Sequence, residues 1–153
     1  MARLAHGIAG NAGVMFVAAE LSRRGLIALP TVRNTEGVDL IVSEPMGGKS
    51  VAIQVKTTQG TAKKWMLSAK CENDHKASLY YVFVNLGEPG KLPCYHVVPS
   101  KTVASTVKKE HAAWVEAPGR NGQAHNPTTM RVFWDTKNRY LDDWAALGLA
   151  MID

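Results

Sequence analysis

Gly37-Val38-Asp39-Leu40-Ile41-Val42 and Lys49-Ser50-Val51-Ala52-Ile53-Gln54-Val55-Lys56, joined through Met46-Gly47-Gly48, decide how the chain is read. Val38, Leu40 and Val42 share one face of the first piece, and Val51, Ile53 and Val55 share one face of the second. Alternation of period two with β-branched residues predicts two half-buried strands. The glycines between them supply the positive-φ positions of a tight turn, so a hairpin is expected.

The other faces of these strands carry polar groups. Asp39 lies opposite the Val38 and Leu40 side, while Gln54 and Lys56, two residues apart, point together. A turn centred on Met46-Gly47 sets Asp39 across from Gln54. One centred on Gly47-Gly48 sets it across from Lys56. In either register a carboxylate, an amide oxygen and an ammonium gather on one surface, and a one-residue slip of a single strand breaks the set.

The pattern resembles the PD-(D/E)XK nuclease superfamily, also called restriction-endonuclease-like or Holliday-junction-resolvase-like. In that family an Asp ends one strand, and an acidic residue, any residue and Lys follow on the next. Asp39 matches the Asp, and Gln54-Val55-Lys56 matches the second part as the Q-x-K variant of the motif. Gly37-Val38 stands where the nominal Pro would be. The likeness spans roughly residues 10–86, about half the chain, and its motif is short and degenerate. It implies a central mixed β-sheet flanked by helices, an α/β (α+β) core, and phosphodiester hydrolysis assisted by Mg²⁺ or Mn²⁺. Hard cations prefer oxygen ligands, which Asp39 and Gln54 supply, and Lys56 can orient the attacking water or offset charge on the phosphate. An exposed hairpin face can also carry these three residues for solubility alone.

Relatives of this kind often add an acid from the first helix. Glu20 is the one acid in the helix expected over residues 11–24, where Val14, Val17, Ala18 and Leu21 form the apolar stripe and Asn11 and Gly25 mark the ends. It is either a third metal ligand or a solvated helix residue. Lys63, Lys64, Trp65 and Lys70 follow the motif in what reads as a basic loop. Cations interleaved with an aromatic suit phosphate contact and base stacking, or Trp65 packs inward.

Outward from this centre, Leu26–Val32 is a short strand that Pro30 either keeps to a sheet edge or stops early, and Arg33–Glu36 is a polar turn. Ala77–Leu86 reads as a buried central strand and Leu92–Val98 as its hairpin partner. A helix is expected over Lys101–Lys109, a loop over 117–129, a strand at Met130–Trp134 and a helix over Leu141–Leu149.

At 153 residues the chain is expected to be one domain, 1–153. A net charge of +5 favours an anionic partner, DNA first. Two cysteines, Cys71 and Cys94, make no disulfide framework and suit a reducing, cytoplasmic setting. With His75 and His96 they do not match the spacing of a zinc finger. No apolar run approaches a membrane span, and His6, Asn11 and the glycines interrupt the faint imitation of a signal peptide at Ile8–Ala19. The expected function is Mg²⁺-dependent DNA cleavage, with a homodimer suggested by analogy. The alternative is a catalytically degenerate module of the same fold that binds nucleic acid or a protein without cutting.

Overall fold

The computed structural model describes residues 3–32 and 36–152. Of the polar turn expected at Arg33–Glu36, residues 33–35 lie outside the described residues. The elements run α1 (His6–Arg23), β1 (Ile27–Pro30), β2 (Leu40–Ser43), β3 (Ser50–Thr58), β4 (Lys64–Ser68), β5 (Leu79–Asn85), β6 (Cys94–Pro99), α2 (Ser100–Glu116) and β7 (Met130–Trp134). Five strands form one sheet in the order β1-β2-β3-β5-β6, and β4 pairs with β7 in a separate ribbon. All pairings are antiparallel except β3 with β5. Parallel neighbours need a long crossover. Here β4 and the 3-10 turn Ala69–Glu72 occupy it.

The hairpin forms with Leu40 opposite Ile53 and Val42 opposite Val51. Its left-handed positions are Met46 (φ 62°) and Gly47 (φ 77°), whereas Gly48 is extended. The Met46-Gly47 register is therefore the one adopted. Met46 takes a conformation that ordinarily favours glycine, with its side chain fully in solvent.

The β-sheet separates two apolar layers. On one side α1 buries Val17 and Leu21 against Leu40, Val42, Val51, Ile53 and Val55. On the other, α2 and the ribbon pack Val103, Val107, Trp65 and Phe133 over Tyr81 and Phe83. Phe83 and Phe133 stack with centroids 4.5 Å apart. β5 is covered on both faces, which is why its sequence is a nearly unbroken apolar run.

Several boundaries differ from the sequence reading. α1 begins at His6, not Asn11, and Asn11 is an exposed residue inside it. The buried line Ala9, Gly13, Val17, Leu21 recurs every fourth residue, so packing of small residues on the sheet extends the helix past its poor local propensity. α2 runs on to Glu116. The expected helix at Leu141–Leu149 contracts to a 3-10 turn, Trp144–Leu147. The basic stretch after Lys63 is a strand. β1 does lie at the sheet edge, as Pro30 requires.

Gly13 shows how close α1 sits. A Cβ there would lie 1.9 Å from Thr57 Oγ1. Thr57 is β-branched and cannot easily turn aside. Gly13→Ala is expected to lower stability by about 1–3 kcal/mol, although Ala is the better helix former. Adding Thr57→Ala should restore part of the loss, because the Thr57 hydroxyl is buried without a partner among the described residues. Urea unfolding of the single and double variants measures both effects.

Candidate active site

Asp39 immediately precedes β2. Its backbone N–H donates to Ile53 O at 2.8 Å, and its carbonyl accepts from the Thr31 N–H at 3.0 Å. The β2–β3 ladder ends there, so the Val55 N–H lies beyond the last strand partner. The Asp39 carboxylate takes the carbonyl's place: Val55 N–H donates to Oδ2 at 2.7 Å. One oxygen is thereby fixed. Oδ1 has no hydrogen-bond partner among the described residues.

The β2–β3 pairing stops at Leu40–Ile53, so Asp39 stands just past the last paired residue, bonded to Ile53 and Val55 on either side of Gln54. Gln54 and Lys56 lie beside Tyr81 and Phe83 of β5, on the face covered by α2 and the ribbon. Both are half-buried, and among the described residues neither side chain has a hydrogen-bond or ion-pair partner. They line a depression of about 140 Å³ with Glu36, Gly37, Lys70, Cys71, Asp74 and Tyr81. Gly37 leads into it; Asp39 itself is not part of its lining.

Burial, reinforced by the charge of Glu72, pushes the Cys71 thiol up to about 11, against the opposing pull of Arg131 and Lys56. It is a protonated core thiol and not a nucleophile. Glu36 forms an exposed ion pair with Lys70 at 3.1 Å. Glu36 and Asp74 are carboxylates at the depression that pattern reading passed over, because both sit in polar turns where acids are unremarkable.

Glu20 is not brought to this surface. Its carboxylate pairs with Arg23 at 3.3 Å and Arg24 at 3.0 Å. α1 covers the opposite face of the sheet, and the charge of Glu20 adds to the burial that pushes Tyr95, on the far strand β6, up to about 12. The physical reason is its place on the wheel: the inward line is 9, 13, 17 and 21, and Glu20 leans toward β6 beside it.

The downstream cations divide likewise. Trp65 is buried, its Nε1–H donating to Val84 O at 3.1 Å and its ring against Phe83 and His96. Of the two readings of Trp65, base stacking is corrected to inward packing, since alternation along β4 turns Trp65 and Leu67 into the core. Lys63 is half-buried, Lys64 is exposed with Nζ 5.0 Å from the Trp134 ring centroid, and Lys70 holds Glu36.

A buried His–Asp pair was invisible in the sequence. His96 Nδ1 and Asp135 Oδ2 lie 2.7 Å apart, both fully buried. Asp135 also accepts from the Arg139 and Tyr140 N–H groups. Burial alone would raise its carboxyl, but the hydrogen bonds from His96, Tyr140 and Arg139 outweigh that and hold it below the usual carboxylate range. The ionised acid only accepts, so His96 Nδ1 carries the hydrogen.

No group of three or more His, Cys, Asp or Glu able to hold a metal occurs among the described residues. A hard divalent cation fits what remains only as a loosely held guest. Asp39 offers one open carboxylate oxygen and Gln54 a neutral one. Mg²⁺ tolerates such a set, since it commonly keeps several waters and completes its shell with substrate phosphates.

No protein-family model matches the sequence, and none of the curated proteins matches it. The fold is similar to that of Hjc, a Holliday junction resolvase from the archaeal hyperthermophile Archaeoglobus fulgidus, with a TM-score of 0.53 over 92% of this chain and 96% of that one, at 11% identity. A bacterial homing endonuclease, I-Ssp6803I, aligns with a TM-score of 0.48 over 67% of this chain and 74% of that one, at 14% identity. The mixed sheet flanked by helices is thus the restriction-endonuclease-like fold. No described helix is long and apolar enough to cross a membrane.

Proposed function

We propose that the protein is a DNA endonuclease that hydrolyses phosphodiester bonds with Mg²⁺ or Mn²⁺. One observation carries this reading: Gln54 and Lys56 share one face of β3, the Asp39 carboxylate sits on the Val55 N–H between them, and beyond that contact the polar side-chain atoms of all three are uncommitted among the described residues. Asp39 and Gln54 would hold the ion through their open side-chain oxygens, and it would supply Lewis acidity to the phosphate and a more acidic water. Lys56 Nζ orients the attacking water and offsets charge on the phosphate. Lys63, Lys64 and Lys70 contact flanking phosphates. Cutting both strands needs two such sites, which a homodimer supplies. Two free cysteines, one of them exposed, suit the reducing conditions of the cytoplasm.

A second reading has its own support. Gln54 in place of an acid, and Glu20 committed to Arg23 and Arg24, leave a poor donor set and favour a module that binds nucleic acid without cleavage. Titration of Mg²⁺ and Mn²⁺ with supercoiled, linear and branched DNA separates the two. Cleavage by the wild type, lowered about a hundredfold in Lys56→Ala with DNA binding retained, is the expected result. Binding by both proteins with cleavage by neither establishes the module.

A further inference from the structure

A second cleft lies between α2 and the outward face of the β4–β7 ribbon, away from Asp39, Gln54 and Lys56. It measures about 360 Å³, within the roughly 300–1,000 Å³ of ordinary small-ligand sites. The pairings Lys64–Trp134, Met66–Val132 and Ser68–Met130 put these residues on the ribbon's outer side, whereas Trp65, Leu67 and Phe133 face the core. Glu110, His111 and Trp114 of α2 form the facing wall.

Two large aromatic rings stand open here. Trp134 is 44% exposed and Trp114 is 42% exposed. Neither ring is loose. Trp114 is flanked by His111 and His125, with centroids at 5.6 and 4.1 Å, and Lys64 Nζ lies 5.0 Å from the Trp134 centroid. Indole faces held in place beside a cation form a platform for a flat ring attached to a phosphate. Glu110 adds an acceptor for an exocyclic amine. The chain's net charge of +5 draws an anionic polymer toward such a cleft.

The geometry points to a binding site for an unpaired nucleobase, with Trp114 and Trp134 as stacking surfaces and Lys64 on the adjoining phosphate. This rests on the reading that the substrate is DNA, and it narrows that substrate to DNA with unpaired nucleotides, since a perfect duplex keeps its base faces within the stack. β4 links the two sites. Lys64 lines the cleft, and Leu67 and Ser68 line the depression holding Lys56. At about 3.3 Å per residue the two ends of β4 are about 13 Å apart, a few nucleotides of one strand.

Fluorescence anisotropy with a labelled single-stranded oligonucleotide, the same strand in perfect duplex, and the strand bearing abasic sites tests the proposal. Trp114→Ala and Trp134→Ala are each expected to weaken single-strand binding about 5- to 150-fold, the range found for one base–aromatic stack. Duplex binding should change less than about twofold, and Trp134→Phe should keep most of the single-strand affinity. Circular dichroism and thermal melts verify folding of each variant. Unchanged single-strand binding, equal losses on single strand and duplex, or no single-strand binding by the wild type overturns the proposal. Enhanced fluorescence of anilinonaphthalene sulfonate in the cleft without oligonucleotide binding does so too, assigning the cleft to an apolar partner. Metal-dependent duplex cleavage with no single-strand binding leaves the nuclease reading standing. Tryptophan-dependent single-strand binding with no cleavage of any DNA removes that reading and keeps this one.

Discussion

Asp39→Ala is expected to lose metal-dependent cleavage by a factor on the order of 10²–10³ and to lose stability as well, while Asp39→Asn loses mainly the cleavage. The two effects come from different oxygens. Oδ2 accepts the Val55 N–H at 2.7 Å, where the β2 ladder has run out. Alanine leaves that half-buried donor without a partner, a cost of about 1–3 kcal/mol. Asparagine keeps a carbonyl oxygen in the same place and should cost about 1 kcal/mol, the difference between a charge-assisted and a neutral hydrogen bond. It removes the negative charge, and with it the only carboxylate in the proposed ligand set. Urea unfolding beside single-turnover cleavage in Mg²⁺ separates the roles. An Asp39→Asn protein that cleaves at the wild-type rate would show that Asp39 is only a strand-end cap.

The largest stability effect is expected at Asp135. Asp135→Ala removes the acceptor of three hydrogen bonds, one from buried His96 and two from the partly buried N–H groups of Arg139 and Tyr140. Each donor left buried without its acceptor costs about 1–3 kcal/mol. The pH dependence follows from the direction of the shift. Asp135 is held below its ordinary carboxylate value when folded. Its contribution is therefore fully present above the unfolded value, about pH 4, and is lost as the pH falls through the lower folded value. The gap in melting temperature between wild type and Asp135→Ala should be wide at pH 6 and narrow toward pH 2–3. A gap that stays constant across that range would mean the carboxylate's charge contributes nothing.

The residues of the candidate site come from a local pattern. Gln54 and Lys56 alternate along β3, so period two sets their side chains on a common face, whereas Asp39 lies just outside β2 and its carboxylate is directed by the Val55 contact. Even the choice between two registers reduced to which residues of a short turn take positive φ. Met46 and Gly47 do, and Met46 is not a residue that advertises it. The aromatic assignment failed for a different reason. Trp65 and Trp134 both lie on strands rich in apolar residues, and nothing nearby says which ring faces the core. The β4–β7 pairing buries Trp65 and leaves Trp134 half-exposed. His96 and Asp135 lie 39 residues apart, so no spacing rule joins them.

Alternation, turn residues and the unbroken apolar run at Leu79–Asn85 were sufficient for the hairpin and the buried strand, because each is governed by sterics and side-chain direction within a few residues. The commitment of Glu20 to arginines behind the sheet, the extension of α1 back to His6, and the cleft beside Trp134 were not. They depend on which surfaces meet when distant segments pack, and burial is a property of the whole assembled chain, not of any stretch of it.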